Sequence, residues 1–276
     1  MLKKWWLGPV MALVCLAVLV APVHASTDLG NVKRVFYVKV KKPIFTGQYT
    51  KINGHRGHRL LTPKGTILRV VAVRHEKGNP SQAILTRGLI SYRLRQRIDL
   101  GTGEYRVKHF NTTYFKPCHL KLPISEYQFQ AGRATINHSA YYKPIFNLTM
   151  DGYLQYYTSA RLKHAHIQTT WLYGKHPVNG NHNPLSTIKP SVAVKINKTV
   201  AKGHHFYLYF RQPVSGLKAK KGHGGYRLLI NELKDHTKTW HQKNNFYSLM
   251  WRDYHVGGQP FYFLWGAQSN DSGYLK

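Results

Sequence analysis

Val32-Lys33-Arg34-Val35-Phe36-Tyr37-Val38-Lys39-Val40 puts Val32, Arg34, Phe36, Val38 and Val40 on one parity. A period of two marks a strand, because successive side chains point to opposite faces of a sheet. The signal recurs outward from this stretch. Residues 66–73 hold Ile67, Leu68, Val70, Val71 and Val73; residues 204–211 hold Phe206, Tyr207, Leu208, Tyr209 and Phe210; and Tyr226-Arg227-Leu228-Leu229-Ile230 follows. Turn clusters separate such runs, among them Asn53-Gly54, Pro63-Lys64-Gly65, Lys77-Gly78-Asn79-Pro80, Gly101-Thr102-Gly103 and Gly222-His223-Gly224-Gly225. No long stretch carries a helical period with caps, so the expected fold class is all-β.

The chain of 276 residues exceeds one small β domain, so two or three β modules are expected. The reading assigns 1–25 to a leader, 26–135 to a first module, 136–185 to a second, partly diverged one, and 186–276 to a C-terminal β-rich unit. A linker or long loop is expected at 174–190, rich in Pro, Asn and Gly. Lys42-Pro43-Ile44-Phe45 returns as Lys143-Pro144-Ile145-Phe146, which suggests a duplication.

Met1-Leu2-Lys3-Lys4, the apolar run from Trp5 to Val20 and the small residues Val23 and Ala25 form a secretory signal pattern. A retained membrane anchor is the alternative, but the run is near the short end for a span of about 20 residues. Loss of 1–25 leaves Cys118 as the one cysteine, so the mature chain forms no internal disulfide, which fits bacterial export. The 41 Lys plus Arg against 10 Asp plus Glu give a net charge of +31, and removing Lys3 and Lys4 leaves +29. Solubility asks for only about 2 to 8 charges on a small domain, so the excess implies a polyanionic partner. An exported chain would meet an anionic cell-wall polymer or another surface polyanion, with an anionic membrane surface as a further partner; nucleic acid is not expected as a physiological one. Of the 17 histidines, all but His24 remain in the mature chain, and binding should tighten in acid as imidazoles with ordinary pKa values near ~6.5 gain charge.

Lys42-Pro43-Ile44-Phe45 followed by Leu60-Leu61-Thr62-Pro63-Lys64-Gly65-Thr66-Ile67-Leu68-Arg69-Val70 resembles the SH3-like wall-associated modules of secreted lactic-acid-bacterial (Gram-positive) surface proteins, mainly over residues 36–98. The resemblance implies small β-barrels that hold a protein non-covalently on an envelope polymer; the strand-rich stretch after Pro190 reads, from its own residues, as a further antiparallel β unit. A second copy from Tyr141 onward departs from the pattern, with His164, His166 and Trp171 where the Pro-Lys-Gly-Thr turn would fall.

Basic residues interleave with aromatics in Tyr92-Arg93-Leu94-Arg95-Gln96-Arg97, in Tyr105-Arg106-Val107-Lys108-His109 and in Leu217-Lys218-Ala219-Lys220-Lys221. Such runs can track a phosphate polymer while rings stack on sugars or bases. The candidate polyanion-binding residues are therefore Arg93, Arg95, Arg97, Arg106, Lys108, Lys218, Lys220 and Lys221. Strand alternation would set Arg93, Arg95 and Arg97 on one face.

No catalytic residue is assigned. The ten acids are scattered, whereas glycoside hydrolysis needs two flanking one bond. Cys118 and His119 would face opposite ways on a strand, and neither a Gly-x-Ser-x-Gly elbow nor a His-Glu-x-x-His helix occurs. His164 and His166 would share a face of a strand and are the candidate metal ligands, joined by His204 and His205, but few carboxylates are at hand. The expectation is a non-enzymatic, secreted, wall-associated polyanion binder without a cofactor. The alternatives are a cell-wall hydrolase with an unrecognised site, or a cationic adhesin or antimicrobial.

Overall fold

The computed structural model describes residues 26–31, 35–75, 78–101, 103–134, 142–167, 185, 187–242 and 245–269; the proposed leader and most of the 174–190 linker lie outside them. In the N-terminal half, short β-branched runs give β1 (Tyr37–Val40), β2 (Ile44–Ile52), β3 (His55–Thr62), β4 (Ile67–Arg74) and β5 (Gln82–Thr86). The helical turn α1 (Tyr92–Arg95) follows, then β6 (Ile98–Asp99), β7 (Glu104–Val107) and β8 (Phe115–Pro117). They form two sheets, β7-β5-β4-β1-β8 and β3-β2-β6, antiparallel throughout. Leu29, Val38, Val40, Leu68, Ala83, Leu85, Val107, Phe110 and Phe115 make their core.

The opening alternation holds only in part. Val38 and Val40 are buried, but Phe36 on the same parity is 64% exposed. The ladder with β4 starts at Tyr37↔Arg69, with one further bond from the Val70 amide to the Phe36 carbonyl (2.8 Å), and there Val35 rather than Phe36 packs against the core, so the alternation breaks. Residues 32–34 lie outside the described residues.

The C-terminal half is one antiparallel sheet. Its strands are β9 (Gln128–Ala131), β10 (Ile145–Leu148), β11 (Tyr153–Tyr157), β12 (Val192–Lys195), β13 (Lys198–Lys202), β14 (His205–Phe210), β15 (Lys220–Gly222), β16 (Gly225–Gln242), β17 (Asn245–Val256) and β18 (Gln259–Ser269), with helix α2 (Ser159–His164) after β11. The order is β12-β11-β10-β9-β18-β17-β16-β14-β13, with β15 attached to β16. Its two edge strands, β12 and β13, are consecutive in the chain. At their joint the Ile196 amide donates to the Gly152 carbonyl (2.9 Å) and the Asn197 amide to the Tyr209 carbonyl (2.8 Å). The sheet therefore curls round until one bent segment serves both edges, β12 pairing with β11 and β13 with β14.

Inside the curl lie Phe129, Phe146, Leu154, Val194, Phe206, Leu208, Phe210, Leu228, Ile230, Tyr254, Val256 and Phe261. Phe146 stacks on Phe129 at 4.6 Å and meets the edge of Phe261 at 5.3 Å. Among the described residues of 136–185, the strands β10 and β11 lie between β9 and β12 in this one sheet, their apolar face covered by the rest of the curl. Both Lys-Pro echoes precede a strand, a position suited to a residue that cannot donate to the ladder. β2 nevertheless pairs with β3 and β6, whereas β10 pairs with β9 and β11.

The two halves join outside β10 and β11. Ser91 donates from its amide (2.8 Å) and hydroxyl (2.5 Å) to the Asp151 carboxylate, the Tyr92 amide to Gln155 Oε1 (2.6 Å), and the Met150 amide to the Leu89 carbonyl (2.7 Å). The Leu89 amide (3.0 Å) and the Tyr37 hydroxyl (3.4 Å) both donate to Glu126. Next to this joint, Ile145, Tyr157, Leu162 and Leu185 bury a further patch of the outer face.

Candidate polyanion-binding surface

Alternation along β14 sends Phe206, Leu208 and Phe210 into the core and turns Tyr207 and Tyr209 outward. The register then builds a row across four strands: Lys198 on β13, Tyr209 on β14, Arg227 on β16 and Lys220 on β15 are successive cross-strand partners. Neighbouring strands sit about 4.8 Å apart, so Lys198 and Arg227, on either side of Tyr209, stand at roughly twice that spacing from each other. Lys198 Nζ lies 5.7 Å from the Tyr209 ring centre and the Arg227 guanidinium 5.6 Å from that of Tyr207. A second row carries Lys202, His205, Asn231 and His255. Lys198, Lys202, His205, Lys220, Arg227 and His255 are exposed, so this face offers four cations and two imidazoles around two half-buried phenol rings.

The β3-β2-β6 sheet builds another such face. Asp99, Tyr49 and Arg59 are partners in one row, and Lys51 pairs with Arg56 while its amide bonds the Arg97 carbonyl (2.9 Å) in the next. Phe45 contacts Tyr49 (5.5 Å) and Tyr105 (5.3 Å) edge to face. Arg59 lies 4.0 Å over Phe45 and Arg56 4.6 Å over Tyr49. Arg56 Nε also donates to Asp99 (2.9 Å), which holds the Asp99 carboxyl below its ordinary value and the guanidinium above its own. Lys51, Arg59 and Arg97 are the exposed cations left over.

Acids are drawn into internal contacts. Asp28 accepts from the Gly30 and Ser81 amides, and Asp151 holds Ser91. Asp253 lies 2.9 Å from His236 Nε2. Arg252 binds Glu232 (2.5 Å) and clamps Asp235 with two nitrogens (2.5 and 2.6 Å), which keeps the Asp235 carboxyl low. These contacts leave the outer rows with a positive excess.

The sequence candidates divide between the two faces. Lys220 sits in the four-strand row; Lys221 is exposed on the alternate parity of the same hairpin, and Lys218 is exposed just before it. Arg97 joins the β3-β2-β6 face. Arg106 and Lys108 are exposed, but Arg106 alternates away from Tyr105 and stands apart from that face. Arg93, Arg95 and Arg97 do not share one strand face. Ser91 caps a helical turn there, its hydroxyl accepting from the Leu94 amide (3.3 Å), so Arg93 stays exposed while Arg95 turns toward Asn147, Gln155 and Tyr157. Burial among them pushes the Arg95 guanidinium below its ordinary value.

The strand expected for His164 and His166 is also absent. α2 ends at His164, and His166 is in the left-handed region with φ 53°, because Thr158 caps a helix through the Arg161 amide. Among the described residues no three His, Cys, Asp or Glu side chains gather as a ligand set. Cys118 is half-buried, and burial pushes its thiol up, away from the thiolate a nucleophile needs.

Sequence reasoning missed Lys198, Lys202, Tyr207, Tyr209 and Arg227, and Lys51, Arg56 and Arg59. For Lys198, Lys202, Tyr207 and Tyr209 the signal was the hairpin about Gly203 (φ 56°), where Lys198-x-Val200-x-Lys202 opposes His205-x-Tyr207-x-Tyr209. The chain matches no protein-family model, no curated protein and no solved structure.

Proposed function

We propose that the chain is a non-enzymatic, exported protein that attaches to anionic polymers of the cell envelope, teichoic-acid-like in chemistry, through basic β-sheet faces. The observation that carries this reading is the row Lys198, Tyr209, Arg227 and Lys220, in which one exposed sheet face aligns three cations about a phenol ring. Phosphates on a polymer meet the cations, and displaced counterions supply the binding free energy. Tyr207 and Tyr209 give flat surfaces for the polymer's sugar or polyol units. The leader-like N-terminus and the resemblance of residues 36–98 to SH3-like wall modules support the same placement outside the membrane.

Purified Gram-positive walls, with and without teichoic acid, test the proposal across a salt series. Retention should fall steeply as ionic strength rises and disappear when the phosphate polymer is stripped, with wall turbidity unchanged throughout. Salt-resistant retention on stripped walls would replace the reading with a glycan pocket, and loss of turbidity would replace it with a hydrolase.

A further inference from the structure

The two basic faces belong to different sheets with different cores, and no strand is common to them. The N-terminal half is tied to the curled sheet at β10 and β11, through Ser91 and Tyr92 on Asp151 and Gln155. The face of Lys51, Arg59 and Arg97 stands beside this joint, with Lys51 Nζ reaching the Arg95 carbonyl (3.4 Å) and Arg95 lying against Asn147, Gln155 and Tyr157. The face of Tyr207 and Tyr209 is centred on β14, which the bent β12–β13 segment separates from β11, and it extends over β16 to β15. The two faces are therefore separate patches, each built on its own sheet.

Each face repeats the same chemistry with its own residues. One has Lys198, Lys202, Lys220 and Arg227 about Tyr207 and Tyr209; the other has Lys51, Arg59 and Arg97 about Phe45, Tyr49 and Tyr105, beside the neutralised Arg56–Asp99 pair. With no strand in common, each patch can seat its own stretch of a phosphate polymer.

We infer that the protein is a bridging factor: its two faces bind separate strands of a phosphate-bearing polymer and cross-link them. This rests on the envelope-polymer reading and adds a second site and a second activity to it. Each face alone tethers the protein to one strand, and both are required to hold two strands together.

Light scattering of the mature protein, titrated with poly(glycerol phosphate) and paired with sedimentation to measure binding, tests the inference. Three triple variants remove equal charge: Lys198→Gln/Lys220→Gln/Arg227→Gln on one face, Lys51→Gln/Arg59→Gln/Arg97→Gln on the other, and Lys64→Gln/Lys116→Gln/Lys163→Gln, exposed cations away from both. Wild type and the third variant should scatter strongly near charge equivalence and clear in polymer excess. Each single-face variant should stay bound to the polymer while its peak scattering falls about fivefold or more. Equal loss in the third variant would assign bridging to bulk charge, and loss of all binding in one face variant with none in the other would leave a single site; either overturns the inference and leaves attachment standing. Failure of the wild type to bind the polymer would overturn the attachment itself.

Discussion

Glu126 ties Leu89 and Tyr37 to the base of the curled sheet, and its backbone takes a left-handed turn with φ 72° to reach them. Burial raises its carboxyl above the ordinary value of 4.5, outweighing the Leu89 amide, Arg69 and the Tyr37 hydroxyl, which all favour the ionised form. A carboxyl raised in the fold is preferred protonated there. Its contribution to stability is complete below the unfolded value and is lost as pH climbs through the folded one. Glu126→Gln removes the buried charge yet keeps an oxygen for the Leu89 amide and a donor for the Tyr37 hydroxyl. Thermal melts should give the variant the higher Tm at pH 7 and equal Tm values near pH 4. A gap that persists at pH 4 would locate the effect in packing rather than ionisation. Nothing in the sequence marks Glu126 as special among ten acids, because its burial depends on the docking of two sheets.

At the level of elements, legibility followed the contrast between inward and outward residues. β14 alternates Phe, Leu and Phe with Tyr, so its strand and its core face could be read directly. β16 runs on to Gln242 through Leu233-Lys234-Asp235-His236-Thr237-Lys238-Thr239, where no apolar period exists; that stretch is a strand because β17 supplies a ladder out to Gln242↔Asn245. The run at 92–97 fits a strand and a helical turn equally by period, and the Ser91 cap decided it. The turn between β17 and β18 carries a prediction at this scale. Gly257 has φ 57°, and a Cβ there would stand only 2.4 Å from the Lys218 carbonyl oxygen, just ahead of β15. Gly257→Ala must push that backbone aside, and we expect a stability loss of about 1–3 kcal/mol with weaker retention on the anionic polymer. Gly258→Ala has open space around its Cβ, and its smaller loss on the same urea denaturation curves isolates the contact from the backbone strain.

For the molecule as a whole, the charge excess was plain from composition, but its division into two faces was not, since Lys198, Tyr209, Arg227 and Lys220 meet only through the register of four strands. Exposed His205 and His255 accompany one face, and exposed His55 and His58 flank the other. The pairing of β9 with β18 has a kinetic consequence. Phe129 finds Phe263 only after almost the entire C-terminal half has been laid down between them. Contacts so distant along the chain make for slow folding, because loop closure must be met before the pairing is rewarded. A chain emerging N-terminus first keeps both β9 and β17 as open edges until Gln259–Ser269 arrives, so β18 sets when this sheet can close and how long it stays prone to sticking to its neighbours.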